Sequence, residues 1–273
     1  MQHFPKISVL MPAYNAEKYI GEAIESILNQ TFKDFEFIII DDCSTDTTGN
    51  IIDDYAIKDD RIRVFHSGKN LFVAGATNLA IHHSRASILA RMDADDIAML
   101  NRLEKQYDFL INNPNVAVIG AWIEIINEKG SVIGIRKYLQ DDVNLKKKMF
   151  RYSPFAHPVV MYRKDVVQKF GNYKETRAPA EDSRLWFAIG TQYKFANVQE
   201  ILLKYRFFDN STSNKKLRLT EMATLKHRWH AWRHQGYKLT FLDFIYNIGQ
   251  LLTIYLMPVK WRIKLFNIIR KIF

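Results

Sequence analysis

At 273 residues the chain is long enough for one α/β domain or a fused pair of half-domains, a size that buries about three quarters of the extended surface. A single cysteine, Cys43, excludes an intrachain disulfide framework and an all-cysteine metal site; the eight histidines show no HExxH spacing, and His82, His83, His227, His230 and His234 read as surface residues. The formal charge of +10 is unevenly spread: residues 214–273 carry twelve lysines and arginines against Glu221 and Asp243, leaving the first 213 residues neutral overall. Such a basic tail points to one anionic partner surface.

The N-terminus has no basic patch followed by an apolar run and cleavage site, so no signal peptide is expected. Ile7–Met11 reads as a short buried strand entering a turn at Pro12. Ala16, Tyr19, Ile20, Ala23, Ile24, Ile27 and Leu28 recur at a 3.6-residue period, which predicts a helix over 16–30. Phe35–Ile40 is a nearly unbroken apolar run, as in a parallel strand covered on both faces. Asp42–Asp46 is a polar turn in which Ser44 or Thr45 can cap a helix over 47–57. A strand near 61–65, a helix near 73–84, a strand near 87–92 and a helix near 100–112 complete a βαβαβαβα pattern. That is a doubly wound sheet without GxGxxG, and its polar side chains gather after strand ends, where open α/β sheets bind ligands.

Beyond residue 113 the character changes. Asn112–Asn115 is a turn, 116–126 is strand material and Glu128–Gly130 is a hairpin turn, while segments near 157–162 and 195–206 read as strands flanking a helix near 182–190. This smaller mixed region continues the same sheet and is expected to hold a second substrate. From about 217 the chain turns helical. Residues 239–259 are largely apolar, but Asp243, Asn247, Gln250 and Pro258 interrupt them, so a helix lying in a membrane interface fits better than a spanning one. Trp261, Leu265, Ile268 and Ile272 then share a face flanked by Lys260, Lys264 and Lys271. The competing reading is a helix that packs on the body or forms a homodimer. Trp229, Trp232 and Arg233 raise nucleic-acid binding, but no recognition module accompanies them and no nucleic-acid partner is expected.

Three acidic groups carry the chemistry. In Arg91–Asp96 the carboxylates Asp93, Asp95 and Asp96 crowd a strand end, where like charges raise one another's pKa unless a cation is shared. A divalent hard cation with a diphosphate supplies that charge; Asp96 alone can instead cap a following helix. Asp41 and Asp42 end the second strand, where one can accept a hydrogen bond from a nucleobase and the other can tie down the turn through Ser44. Pro12 and Tyr14 end the first strand, where a ring can stack on the base. Glu181 and Asp182 lie in the second half, placed for a general base acting on an attacking hydroxyl; the competing reading is an acidic pair that complements a helix dipole. Arg206, ahead of Asn210–Ser213, has phosphate-compatible geometry for a loop over the diphosphate.

Five stretches together resemble the inverting glycosyltransferases of family 2 over about residues 5–213: Ser8-Val-Leu-Met-Pro-Ala-Tyr-Asn15, Ser26-Ile-Leu-Asn-Gln-Thr-Phe32, Ile40-Asp-Asp-Cys-Ser-Thr-Asp46, Met92-Asp-Ala-Asp-Asp96 and Glu181-Asp-Ser-Arg-Leu-Trp186. The resemblance implies an α/β chain of GT-A fold. Its parts are a Rossmann-like nucleotide-sugar-binding half over 1–112, a smaller mixed-sheet acceptor half over 113–213, and a basic amphipathic helical tail over 214–273. It implies transfer of a single sugar from a UDP-sugar to a hydroxyl of a glycan or lipid-linked oligosaccharide acceptor, with Mn²⁺ or Mg²⁺, in bacterial surface-polysaccharide or lipooligosaccharide synthesis. It also implies a cytoplasmic enzyme, peripheral on the inner face of the membrane, and the charge and apolar pattern of the tail suit an anionic membrane surface as its partner.

Matched residue by residue, Pro12 and Tyr14 resemble the frame of the uracil, Asp42 the carboxylate on its N3–H, and Asp41 the companion position. Asp93 resembles the acid near the ribose and sugar, Asp95 the metal ligand, Asp182 the general base and Glu181 a neighbour shaping the acceptor site. There are departures. Phe72 and Thr77 stand where Asn-x-Gly-x-x-x-Ala-Arg-Asn has glycine and arginine, and Phe208 replaces the histidine of Tyr-Arg-x-His, so Arg206 inherits more of the phosphate role. Two rivals remain open. A nucleotidyltransferase needs a Gly-rich or basic loop that Pro12–Asn15 lacks, and an inactive scaffold or lectin has no use for intact Asp42, Asp93, Asp95 and Asp182.

Overall fold

The computed structural model describes residues 4–175, 180–208, 217–259, 261–262 and 265. Strand β1 (Ile7–Ala13) lies between β2 (Phe35–Asp41) and β4 (Ile88–Arg91), with β3 (Ile62–His66) outside β2, all in parallel. Every residue of β2 is buried, which is why its sequence shows no alternation. The crossovers are α1 (Ile20–Leu28), α2 (Thr48–Lys58) and α3 (Phe72–His83). In α1 the periodic residues Ile20, Ala23, Ile24 and Ile27 are all buried. Each isoleucine so covered contributes roughly 1.5–3 kcal/mol relative to exposure.

The second half enters the same sheet. β8 (Met161–Arg163) runs antiparallel to β4, β6 (Val116–Ile126) antiparallel to β8, and β9 (Lys194–Arg206) parallel to β6. The two-residue β5 (Ile97–Ala98) returns to pair with Leu203 and Lys204 of β9. The order is β3-β2-β1-β4-β8-β6-β9-β5, with β7 (Val132–Arg136) hairpinned onto β6. This is the GT-A arrangement, and helices α4 (Arg102–Asn112), α5 (Asp142–Lys148), α6 (Lys164–Lys169) and α7 (Glu181–Gly190) flank it.

Several local expectations change. The helix over 48–58 is not capped by Ser44 or Thr45, since both clasp the neighbouring loop; Asp46 Oδ1 instead accepts from Thr48 N–H at 2.9 Å. Asp96 caps no helix, because β5 follows it directly and α4 begins only after Asn101. The strand expected near 157–162 is a 3₁₀ turn over His157–Val159 followed by the three residues of β8, since Pro158 cannot donate to a ladder.

The tail forms α8 (Leu217–His234) and α9 (Phe241–Leu256), and no helix among the described residues is long and apolar enough to cross a membrane. Both helices dock on the body. Ala231 joins the core that contains Trp186, and His227 Nδ1 lies 2.6 Å from Ser183 Oγ. His227 is thus no surface residue; burial and neighbouring cations push it down to about 4. Asp243 ion-pairs with Arg151 at 2.7 Å, Asn247 donates to Phe150 O, and Arg228 donates to Asn247 and Gln250. The polar residues that interrupt the apolar run are therefore the docking face. Ile268 and Ile272 of the expected terminal stripe lie outside the described residues, as do Lys260, Lys264 and Lys271.

Candidate active site

One cavity of ≈ 1400 Å³ opens at the C-terminal ends of β1, β2 and β4, lined by Pro12, Tyr14, Asp42, Asp93, Asp95, Glu181, Asp182 and Arg206. The fold thus gathers groups from three strand ends, one helix start and the last strand. Asp41 and Asp96 lie behind the lining.

On the first wall two loops hold each other. Asn15, at φ 49°, accepts from Thr45 N–H at 2.8 Å, its own N–H donates to Ser44 Oγ, and Asp42 N–H donates to Ala13 O at 2.8 Å. Of the acidic pair, Asp41 ties down the turn: Oδ1 accepts from Ser44 N–H at 3.1 Å, and Oδ2 lies 2.9 Å from His66 Nδ1. Asp42 faces the cavity with Oδ1 accepting from Leu71 N–H at 2.7 Å and Ser67 Oγ at 3.2 Å. Burial outweighs those bonds and raises its pKa. Tyr14 is half exposed, leaving a ring face open to a planar ligand.

At the centre, carboxylate oxygens of Asp93, Asp95 and Asp96 lie within 4.8 Å of one another. Arg91, 2% exposed, pairs through Nη2 with Asp93 at 2.7 Å, while its Nε and Nη1 have no partner among the described residues. Burial, then the Asp93 charge, pushes Asp95 up to about 7. Asp95 forms no ion pair among the described residues. Asp93 and Asp95 present hard oxygen donors on the cavity wall, with the Asp96 carboxylate close behind, and such a group fits a divalent cation. Asp96 is fully buried and accepts Arg206 N–H at 2.8 Å, so it braces the loop from behind.

Arg206 differs from its expected phosphate role. Nε donates to Asp95 O at 2.9 Å, Nη1 to Asn127 O and Glu128 O, and Nη2 to Glu22 at 2.6 Å, with Tyr19 stacked 4.4 Å from the guanidinium. Protein acceptors already hold nearly all of its donors, which makes it a support of the acidic loop. Asn210–Ser213 lie outside the described residues, as does Pro179.

Across the cavity, Glu181 and Asp182 form the first turn of α7, entered through Ala180 at φ 75°. Burial and the Asp182 charge push Glu181 up to about 7; burial raises Asp182. The helix-start position and the cavity-facing position are the same. Sequence reasoning gave no role to Arg91, although a cation ending the apolar strand before three acids was the available signal. It also missed that Thr220, Thr224 and Gln250 of the tail helices wall the cavity.

The profile of glycosyl transferase family 2 matches residues 8–171. An uncharacterised glycosyltransferase of Methanocaldococcus jannaschii is 36% identical over 93% of this chain and 90% of its own length. The chain belongs to glycosyl transferase family 2. It is a GT-A glycosyltransferase, and the nucleotidyltransferase reading is set aside. A further relative, the UDP-Gal:alpha-D-GlcNAc-diphosphoundecaprenol beta-1,3-galactosyltransferase of Escherichia coli, is 28% identical over 94% of each chain. Among solved structures, S. aureus TarS 1-349 in complex with UDP-GlcNAc is similar in fold, with a TM-score of 0.65 and 19% identity over 91% of this chain and 80% of that one.

Proposed function

We propose that this family-2 glycosyltransferase moves a single sugar from a UDP-sugar to a hydroxyl of a glycan or lipid-linked oligosaccharide during surface-polysaccharide assembly at the cytoplasmic face of a membrane. The observation that carries it is the convergence of Asp42, Asp93, Asp95 and Asp182 on one cavity. The UDP-sugar and diphosphoundecaprenol acceptor in the name of the E. coli relative support the donor and acceptor classes. Residues 1–112 serve the nucleotide sugar, 113–213 the acceptor, and 214–273 form the tail.

Tyr14 stacks on the uracil beside Pro12, and Asp42 accepts its N3–H. Asp93, held by Arg91, faces the ribose and sugar. Mn²⁺ or Mg²⁺ held by Asp95 supplies charge neutralisation for the diphosphate. Asp182 takes the proton of the acceptor hydroxyl as that oxygen forms a bond to C1, while the C1–O bond to UDP breaks with its electron pair leaving on the phosphate. Attack opposite the leaving group inverts the anomeric centre, and Glu181 shapes the acceptor side.

A panel of UDP-sugars with and without Mn²⁺ tests this. Metal-dependent UDP release by the wild type, lowered at least about 100-fold in Asp95→Asn, is expected. Near wild-type release in that variant removes Asp95 from the metal site.

A further inference from the structure

Helix α9 is inside out. Asp243, Asn247 and Gln250 point into the body, whereas Phe241, Leu242, Ile245, Leu252, Tyr255 and Leu256 are 51–76% exposed. A helix that merely covers a soluble body has the opposite polarity. Phe241, Ile245, Ile248, Leu252 and Tyr255 follow one another at intervals of three or four residues, so they form one stripe along the helix.

Among the described residues of the two tail helices, the outward-facing charges have one sign. Glu221 and Asp243, the only carboxylates of residues 214–273, are turned inward and paired with Arg262 and Arg151. Arg218 lies 5.0 Å from the exposed Tyr255 ring, and Arg233 lies 4.9 Å from the exposed Trp229 ring. An apolar stripe with amphipathic aromatics and cations beside it matches the boundary between acyl chains and anionic headgroups. A second copy fits poorly, because a two-fold contact sets the same cationic surface against itself. The 16 residues of α9 span about 24 Å, short of the roughly 30 Å hydrocarbon core, so the helix lies flat.

We infer that the outward face of α9, with the Trp229–Arg233 edge of α8, docks on an anionic lipid bilayer. The same two helices wall the cavity through Thr220, Thr224 and Gln250. Docking therefore sets the cavity beside the headgroup layer, where a lipid-linked acceptor is presented; this last step rests on the acceptor class proposed above.

The test is co-sedimentation of the full chain with phosphatidylcholine vesicles, with and without phosphatidylglycerol. Retention on the anionic vesicles that falls as salt rises is expected. The double variant Ile245→Ser/Leu252→Ser, and separately Arg233→Glu, should bind about tenfold more weakly or worse, with unchanged melting temperature and unchanged UDP release on a soluble acceptor. Wild type left in the supernatant, or variants retained like wild type, overturns the inference. So does a concentration-dependent dimer in sedimentation velocity that the double variant abolishes, which assigns the face to a second copy. Failure of UDP release in the wild type overturns the donor reading while leaving the vesicle result intact.

Discussion

Arg206 holds the acidic loop from behind at two points: its backbone N–H donates to Asp96 Oδ1 at 2.8 Å, and its Nε–H donates to the carbonyl oxygen of Asp95 at 2.9 Å. The orientation of Asp95 on the cavity wall thus depends on a residue 111 positions later. Lysine keeps the charge but not the planar fork. Arg206→Lys should lower Mn²⁺ affinity about 10–100-fold, measured by calorimetry, with a lower melting temperature. Unchanged Mn²⁺ affinity would show that Asp95 is placed without it.

Asp95 and Glu181 are each pushed up to about 7, so the folded protein binds protons there that the unfolded chain has already lost. The metal-free protein should therefore lose stability as pH rises from the ordinary carboxylate range to about 7, then level off. Mn²⁺ needs the ionised carboxylate, so its affinity should fall by up to about tenfold per pH unit below 7. Melting temperature from acid to neutral pH, with and without Mn²⁺, reads both effects. A metal-free melting temperature that climbs through the same range contradicts the assignment.

Asp182→Asn keeps the shape of the side chain and removes its basicity. Turnover should fall about 10²–10⁴-fold, while the UDP dissociation constant stays within about twofold. An equal loss of UDP binding moves Asp182 to the donor side.

Phe72 sits at φ 60°, a left-handed conformation, which explains why glycine is the usual residue of this pattern. An L-residue there costs roughly 1–2 kcal/mol, offset in part by the smaller entropy of the unfolded chain. Phe72→Gly should leave stability within about 1 kcal/mol of wild type but alter donor affinity, because the ring lines the cavity. A much larger destabilisation in urea would show that packing of the half-exposed ring dominates.

The parallel half was legible because its strands and helices carry their periods in the sequence: β2 as an unbroken apolar run and α1 as a buried stripe. The approach of Asp42 and Asp93 was legible because each follows a parallel strand that ends at the same sheet edge, whereas Asp182 opens α7 on the opposite wall and only the motif around it pointed there. Other features are products of tertiary contact. Nothing local distinguishes Ile97–Ala98 as a strand before β9 exists to pair with it. The donors of Arg206 are filled by carbonyls from distant loops, and the polar residues of α9 look like interruptions until Arg151 and Arg228 are seen to meet them.

The sheet order also bears on how the protein is made. Ala98 pairs with Leu203, so the acidic loop is anchored on one side by β4 and on the other by a strand synthesised more than a hundred residues later. At ribosomal speed that interval is on the order of ten seconds. During it the apolar face that β1, β2 and α1 share with Val116, Ile119 and Leu203 lacks part of its cover, and the cluster of like charges has no second anchor. The acidic loop therefore takes its final shape only after β9 has joined the sheet.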